Sequence, residues 1–160
     1  MNDDIAAVLG RTPSGLFIVT LSDGNGHETG LLASWVQQAS FEPPAVTVAV
    51  NKKRYANEWL KASPKMALNL IGETQKQFLG HFGKGFEPDA NAFDGLATSR
   101  TPGNLTALND ALGWLEGEVK GSVEAGDHTI HLVELTAAGK GTELETQRPW
   151  VHVRKSGAGY

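Results

Sequence analysis

Short β-branched or alternating runs, separated by turns, recur along the chain and constrain its fold more than any other feature. The runs at 16–21 (LFIVTL) and 46–50 are typical of buried strands. Further strands are predicted at 28–36, 66–70, 114–123, 129–135 and, as the last one, Trp150–Arg154. No segment is long enough for the crossover helix that a parallel βαβ sheet requires. The sequence therefore predicts a mainly β barrel or sandwich with antiparallel strands.

Short helices are predicted between some of these strands. They cover 3–9, 55–61, 75–82 and 105–112. Residues 1–10 thus form an N-terminal helix that Gly10 ends, and residues 156–160 are predicted to be a flexible tail. Residues 83–104 are rich in glycine, proline, asparagine and aspartate, which predicts a long loop anchored by Phe86 and Phe93. A chain of 160 residues suits one domain, 1–160.

Composition excludes several classes of function. The net charge of −4 lacks the basic excess of a nucleic-acid binder. The absence of cysteine excludes disulfides, thiolate nucleophiles and cysteine-based metal sites in this chain. No apolar run approaches the roughly 20 residues that cross a bilayer, and the acidic start is not typical of a signal peptide. A cytoplasmic protein that binds no membrane is therefore expected.

The stretch Thr29–Val50 (TGLLASWVQQASFEPPAVTVAV) is predicted to be a strand, a turn of small and polar residues, a Pro-Pro break and a second strand. Its small residues would let a flat ligand approach the main chain, whose N–H groups could donate to it. These small residues are Ala33, Ser34, Ala39 and Ser40. The alternative is that the polar residues only end an edge strand and begin a turn.

Three cations, Lys52, Lys53 and Arg54, follow the second strand and precede a predicted helix. That placement favours a phosphate site, because the positive end of the helix dipole adds to their charge. Lys53 and Arg54 are the preferred contacts, although the sequence does not show which of the three points inward. A solvated basic loop is the alternative.

The segment Gly126-Asp-His-Thr129 places a histidine at the entrance of a strand, after a turn that Asp127 could cap. The alternative is a hairpin with a surface histidine. His128 and His131 lie three apart on a strand and face opposite sides, so no metal site is predicted. The carboxylates of Glu116 and Glu118 are interpreted as a solvated strand face.

In their order and spacing from Arg11 to Trp150, these segments resemble the flavin reductase-like family of FMN-binding split barrels. Within it they most resemble the C-terminal flavin reductase module of cyanobacterial flavodiiron (diflavin) proteins. The resemblance implies a split β-barrel with Greek-key connections and a homodimer with flavin near the subunit interface. It also implies a module that stands alone or belongs to a parent protein with flavodoxin-like and di-iron domains.

The resemblance implies which residues contact the flavin. The implied contacts are Thr29, Leu32, Ala33, Ser34, Trp35, Gln37, Ala39, Ser40, Lys52, Lys53, Arg54, Phe82 and Asp127. His128 would stand at the cofactor's rim as the catalytic residue. The implied activity is NADH- or NADPH-dependent reduction of FMN, with FAD as an alternative, by hydride transfer to flavin N5. The electrons would continue to a partner domain, free flavin or oxygen.

Two other functions stay open at this point. One is a non-enzymatic FMN or haem carrier on the same barrel. The other is a dimerisation module whose barrel is empty. The choice between NADH and NADPH stays open as well, because no side chain can be assigned to the ribose 2′ position from the sequence.

Overall fold

The computed structural model describes residues 1–159, which form three helices and nine strands. The helices are α1 (Asp3–Arg11), α2 (Ala56–Ala62) and α3 (Lys76–Phe82). The strands are β1 (Phe17–Ser22), β2 (Glu28–Ala33), β3 (Val36–Phe41), β4 (Pro44–Asn51), β5 (Lys65–Leu70), β6 (Thr98–Arg100), β7 (Thr106–Leu108), β8 (Gly113–Ala125) and β9 (His128–Lys140). None of the helices within this range is long and apolar enough to cross a membrane.

Seven strands form one antiparallel sheet in the order β2-β1-β5-β8-β9-β4-β3. Strand β5 returns beside β1 only after β3 and β4 have been added at the other edge, which is a Greek-key type of crossing. The buried core cluster combines Leu31 of β2 with Val48 of β4 and Val133 of β9. Because strands from both ends of the sheet share this core, the sheet curls into an open barrel. The predicted mainly β split-barrel fold is confirmed.

A second apolar cluster packs outside this barrel. It joins Ile18 of β1 to Phe78 and Phe82 of α3 and to Phe93 of the following loop. Phe93 is buried and Phe86 packs against the cluster, so both aromatic residues anchor the 83–104 segment as predicted. This segment is not loop throughout, because Thr98–Arg100 pairs with β7.

The prediction of a helix at 105–112 is wrong, since residues 106–108 form strand β7. Buried polar side chains of the sheet explain the extended conformation. The hydroxyl of Thr20 donates to the carbonyl of Thr106 at 2.7 Å, and Leu108 N–H donates to Asn69 Oδ1 at 2.8 Å. A helix would use both of these main-chain groups internally and leave Thr20 and Asn69 without partners in the core.

The prediction of a last strand at Trp150–Arg154 is also wrong. The N–H groups of Trp150, His152 and Arg154 donate to carbonyls of Ile71, Ser14 and Gly10, which belong to separate segments. The chain is therefore extended there but forms only isolated bridges. In the segment predicted to be a tail, Gly157 N–H donates to the carbonyl of Ala6 in α1 at 2.6 Å. Residue 160 of that segment lies outside the described residues.

Two details of the predicted strands need correction. Residues 36–41 form strand β3 rather than a turn. Strand β8 pairs with β5 without interruption from Gly113 to Glu118, and Leu115 and Val119 pack against the barrel core, so Glu116 faces the opposite side of the sheet. The segment at Gly103 covers that side: Glu116 is only 4% exposed, and its Oε1 accepts from Gly103 N–H at 2.8 Å. The prediction that Glu116 lies on a solvated face is wrong.

Candidate functional site

A cavity of about 470 Å³ opens between the β2 edge of the sheet and strand β4. Its walls combine apolar and small side chains with two cations. The lining residues are Val19, Leu31, Leu32, Ala33, Ser34, Trp35, Ala49, Val50, Asn51, Lys53, Arg54, Phe82, Gly83 and Gly85. A largely apolar cleft of this volume with a few polar groups is typical of a small-molecule site.

The corner that joins β2 to β3 forms one wall of this cavity. Strand β2 ends at Ala33, and Ser34 and Trp35 then lead into β3. The carbonyl of Trp35 accepts from Ala49 N–H at 3.0 Å, which fixes the corner against β4. Small side chains at positions 33, 34 and 49 keep the main chain within reach of a flat ligand.

The turn after β4 brings two of the three predicted cations to the cavity. Asn51 organises this turn: its Oδ1 accepts from Lys53 N–H at 2.9 Å, and its carbonyl accepts from Arg54 N–H at 3.0 Å. Lys53 and Arg54 line the cavity, whereas Lys52 pairs with Glu124 and lines a different cavity. The structure thus separates Lys52 from the other two, a distinction that the sequence left open.

The segment after α3 closes the cavity beside Arg54. Gly85 has a φ of 76°, and a Cβ there would lie 2.7 Å from Arg54 Nη1. Phe82 is 1% exposed, and its ring meets that of Phe86 edge-on at 5.8 Å. A Cβ on Gly30 of β2 would overlap the Phe82 ring. The glycines of GHFGKG (80–85) were a visible signal for this wall, although their pattern fits no phosphate-binding fingerprint.

His128 contacts a residue of the cavity wall rather than lining the cavity. Its ring centroid lies 4.7 Å from that of Trp35, and its Nδ1 is 2.8 Å from Asp127 Oδ1. The hydrogen bond from His128 is the main reason that the pKa of Asp127 lies below its ordinary value. Arg154 also lies against Trp35, 5.2 Å from the ring centroid. Trp35 therefore links the cavity to both side chains.

Several residues predicted to contact flavin lie outside the lining set. Thr29 is fully buried and accepts a hydrogen bond from the hydroxyl of Tyr55 at 2.8 Å, which is a structural role. Gln37, Ala39 and Ser40 lie on strand β3 instead of in a turn. The lining residues that the sequence did not indicate are mostly apolar positions of β1, β2 and β4, whose pattern is the same as that of core residues.

A second cavity of about 480 Å³ lies between α2 and the β8–β9 hairpin. His131 connects its two sides, with Nδ1 2.8 Å from Ser122 Oγ and Nε2 3.0 Å from Asn57 Oδ1. Burial lowers the pKa of His131, and the charge of Glu124 opposes this shift. Among residues 1–159, no three histidine or carboxylate side chains are grouped to hold a metal ion.

Known proteins share the sequence pattern and the architecture of this chain. Residues 9–157 match the family described as "Flavin reductase like domain". Diflavin flavoprotein A 1 from Synechocystis sp. (strain ATCC 27184 / PCC 6803 / Kazusa) is 38% identical over 137 residues, which is 85% of this chain. The match spans only 24% of that relative's length.

Solved structures show the same fold. The flavin reductase PheA2 superposes with a TM-score of 0.76 at 27% identity, covering 96% of this chain and 98% of its own. The NADH:FAD oxidoreductase SgcE6 from Streptomyces globisporus C-1027 superposes at 0.83 with 25% identity, covering 93% of this chain and 87% of its own. SgcE6 in complex with NAD and FAD fragments superposes at 0.80 with 24% identity, covering 93% and 86%. The match over residues 9–157 and the relative at 38% identity show that the chain belongs to the flavin reductase like domain family.

Proposed function

We propose that this chain binds FMN in the cavity of about 470 Å³ and reduces it at the expense of NADH or NADPH. The observation that carries the proposal is that one cavity combines a wall of small residues with Lys53 and Arg54. FMN has the matching parts, a planar ring system and an anionic phosphate. FAD is the alternative flavin, and SgcE6, a structural relative, is an NADH:FAD oxidoreductase.

The residues present fit such a cofactor. Ala33, Ser34 and Ala49 would allow the ring to lie close to the main chain. Lys53 and Arg54 would hold the phosphate through charge-assisted hydrogen bonds. Gly85 leaves the space that the Arg54 guanidinium needs, since a Cβ there would touch it. The chain would thus bind both ends of the cofactor.

The bound flavin would supply the redox chemistry, accepting a hydride from the nicotinamide and passing the electrons onward. The protein then has to bind, orient and exclude water. We propose that His128 influences the nicotinamide reaction through Trp35, because it is 5% exposed and contacts that indole. Its hydrogen bond with Asp127 would keep the imidazole in one orientation.

The partners that we propose follow from the family. The chain spans about a quarter of the length of its diflavin flavoprotein relatives. We therefore propose that, within a longer parent protein, electrons pass from this chain to flavodoxin-like and di-iron domains. We also propose a homodimer. Strand β3 supports this proposal, because it forms an edge of the sheet and its Phe41 is 89% exposed.

The visible absorption spectrum of the protein loaded with FMN, before and after anaerobic addition of NADPH or NADH, tests the proposal. Bleaching of the flavin at a rate above that of free FMN is the expected result. A carrier would bind FMN without accelerated bleaching. A dimerisation module would bind no FMN and would gain no thermal stability from it. Either of these results would refute the reductase.

Variants of the neighbouring cations test the location of the site. Arg54→Ala should weaken FMN binding strongly, because Arg54 lines the cavity. Lys52→Ala should cause a smaller loss, because Lys52 pairs with Glu124 beside the second cavity. Equal losses in the two variants would contradict the proposed position of the phosphate.

A further inference from the structure

The hydrogen bonds of Asn57 join the second cavity to the turn that presents the two cations. Asn57 Nδ2 donates to the carbonyl of Asn51 at 2.9 Å and lies 3.4 Å from the carbonyl of Arg54. These carbonyls belong to the first and last residues of the 51–54 turn. One side-chain amide therefore bridges both ends of the turn.

His131 holds the other end of this amide. Because Nδ2 donates to the turn, the Asn57 oxygen faces His131 Nε2 at 3.0 Å. An amide oxygen only accepts, so Nε2 must carry the proton. His131 Nδ1 then accepts from the hydroxyl of Ser122 at 2.8 Å. The imidazole is thus fixed on both sides, from β8 and from α2, and it is only 5% exposed.

We propose that His131 is a positioning residue for flavin binding: through Asn57 it fixes the 51–54 turn in the shape that directs Lys53 and Arg54 to the cofactor phosphate. This inference rests on the proposed FMN site. It adds residues outside the FMN cavity, since His131 and Asn57 line the second cavity.

The charges near His131 favour this positioning role over a separate reaction in the second cavity. Ser122, His131 and Asn57 have the order of a nucleophile, a base and an orienting group. The two cations of that cavity are paired with carboxylates, Lys52 with Glu124 and Lys61 with Glu58. Because both lysines pair with carboxylates, neither is placed to stabilise the oxyanion that a reaction of Ser122 would develop. The chain of hydrogen bonds from Ser122 through His131 to Asn57 therefore acts on the 51–54 turn.

The dissociation constants of FMN and riboflavin, measured by flavin fluorescence, test the inference. Riboflavin lacks the phosphate and otherwise presents the same ring. His131→Leu removes the donor to Asn57, and its FMN affinity should fall about threefold to tenfold while riboflavin affinity is unchanged. His131→Gln restores an N–H donor near the Nε2 position and should recover most of the loss. Lys61→Ala, in the same cavity, is the matched control and should change neither constant.

Asn57→Ala is the second variant, in case His131→Leu does not fold. It should show the same selective loss for FMN, and the double variant should lose no more than either single variant. Equal loss of both flavins, no loss of FMN, or failure of His131→Gln to recover affinity would overturn the positioning role alone. A wild-type protein that binds neither flavin would refute the proposed function, and this inference with it.

Discussion

Gly30→Ala is the substitution whose effect the packing of the cavity wall defines best. A Cβ on Gly30 would overlap the Phe82 ring, with Cδ1 at 2.8 Å, and would lie 3.3 Å from Ile18 Cγ2. Phe82 is 1% exposed and contacts the rings of Phe78, Phe86 and Phe93. The ring therefore cannot turn away without disturbing the outer apolar cluster.

The expected cost is that of adding one carbon to a packed core, about 1–3 kcal/mol. For a domain of this size, each kcal/mol lowers Tm by roughly 2–4 °C, so the expected decrease is about 2–12 °C. Phe82 also lines the cavity, so the affinity for FMN should decrease with stability. Circular dichroism melting and flavin fluorescence measure the two effects.

Gly80→Ala is the matched control, with the same chemical change at an exposed position. It lies in α3, and a Cβ there would meet no atom within 4 Å. Replacing a helical glycine with alanine should stabilise the protein by about 0.5–1 kcal/mol. The same change from glycine to alanine is thus expected to lower Tm at position 30 and to raise it at position 80. The difference separates the effect of core packing from the effect of backbone entropy.

The double variant Gly30→Ala/Phe82→Leu tests the cause. Phe82→Leu alone should destabilise the core, because it removes buried ring atoms. Combined with Gly30→Ala, its cost should be less than the sum of the two single costs, because the added carbon then meets fewer ring atoms. Additive losses, or an unchanged Tm in Gly30→Ala, would refute the contact between β2 and α3.

Three further predictions concern charge and protonation. Arg54→Ala should weaken FMN binding about 10- to 100-fold and riboflavin binding little, as titration by fluorescence would show; equal losses would contradict a phosphate contact. His128→Ala should slow oxidation of NADH or NADPH more than it weakens flavin binding, and equal losses in both would contradict its role. Burial lowers the pKa of His131 in the folded state below its ordinary value of about 6.5. Below that pH the unfolded chain binds more protons than the folded chain, so the free energy of unfolding in urea should be full above about pH 6.5 and should fall as pH decreases. In His131→Gln this decrease should be smaller.

Strand positions were predictable where short alternating runs end at glycine or proline. The β1–β2 hairpin shows why, because Asp23 Oδ1 accepts from Asn25 N–H at 2.7 Å within the turn itself. Local residues also revealed the cations of the 51–54 turn, which Asn51 organises from within. Such features depend on neighbours in sequence, so the sequence alone carries their signal.

The errors arose where distant residues decide the conformation. Thr106 and Leu108 are extended because Thr20 and Asn69, far away in sequence, need partners in the core. Glu116 is buried because Gly103, which lies outside strand β8, packs against its carboxylate and donates a hydrogen bond to it. Likewise, the separation of Lys52 from Lys53 depends on Glu124 in β8. No local periodicity reports such contacts.

The position of the cavity at the opening of the barrel has a consequence for dynamics. Strands β2 and β3 are the two edges of the sheet, and the cavity wall includes the Ser34-Trp35 corner between them together with β4. A molecule held there would bridge two edges that no continuous ladder of main-chain hydrogen bonds joins. Amide hydrogen exchange in 31–36 and 49–54 should then slow on binding, while the β8–β9 hairpin, already paired along its length, should change little.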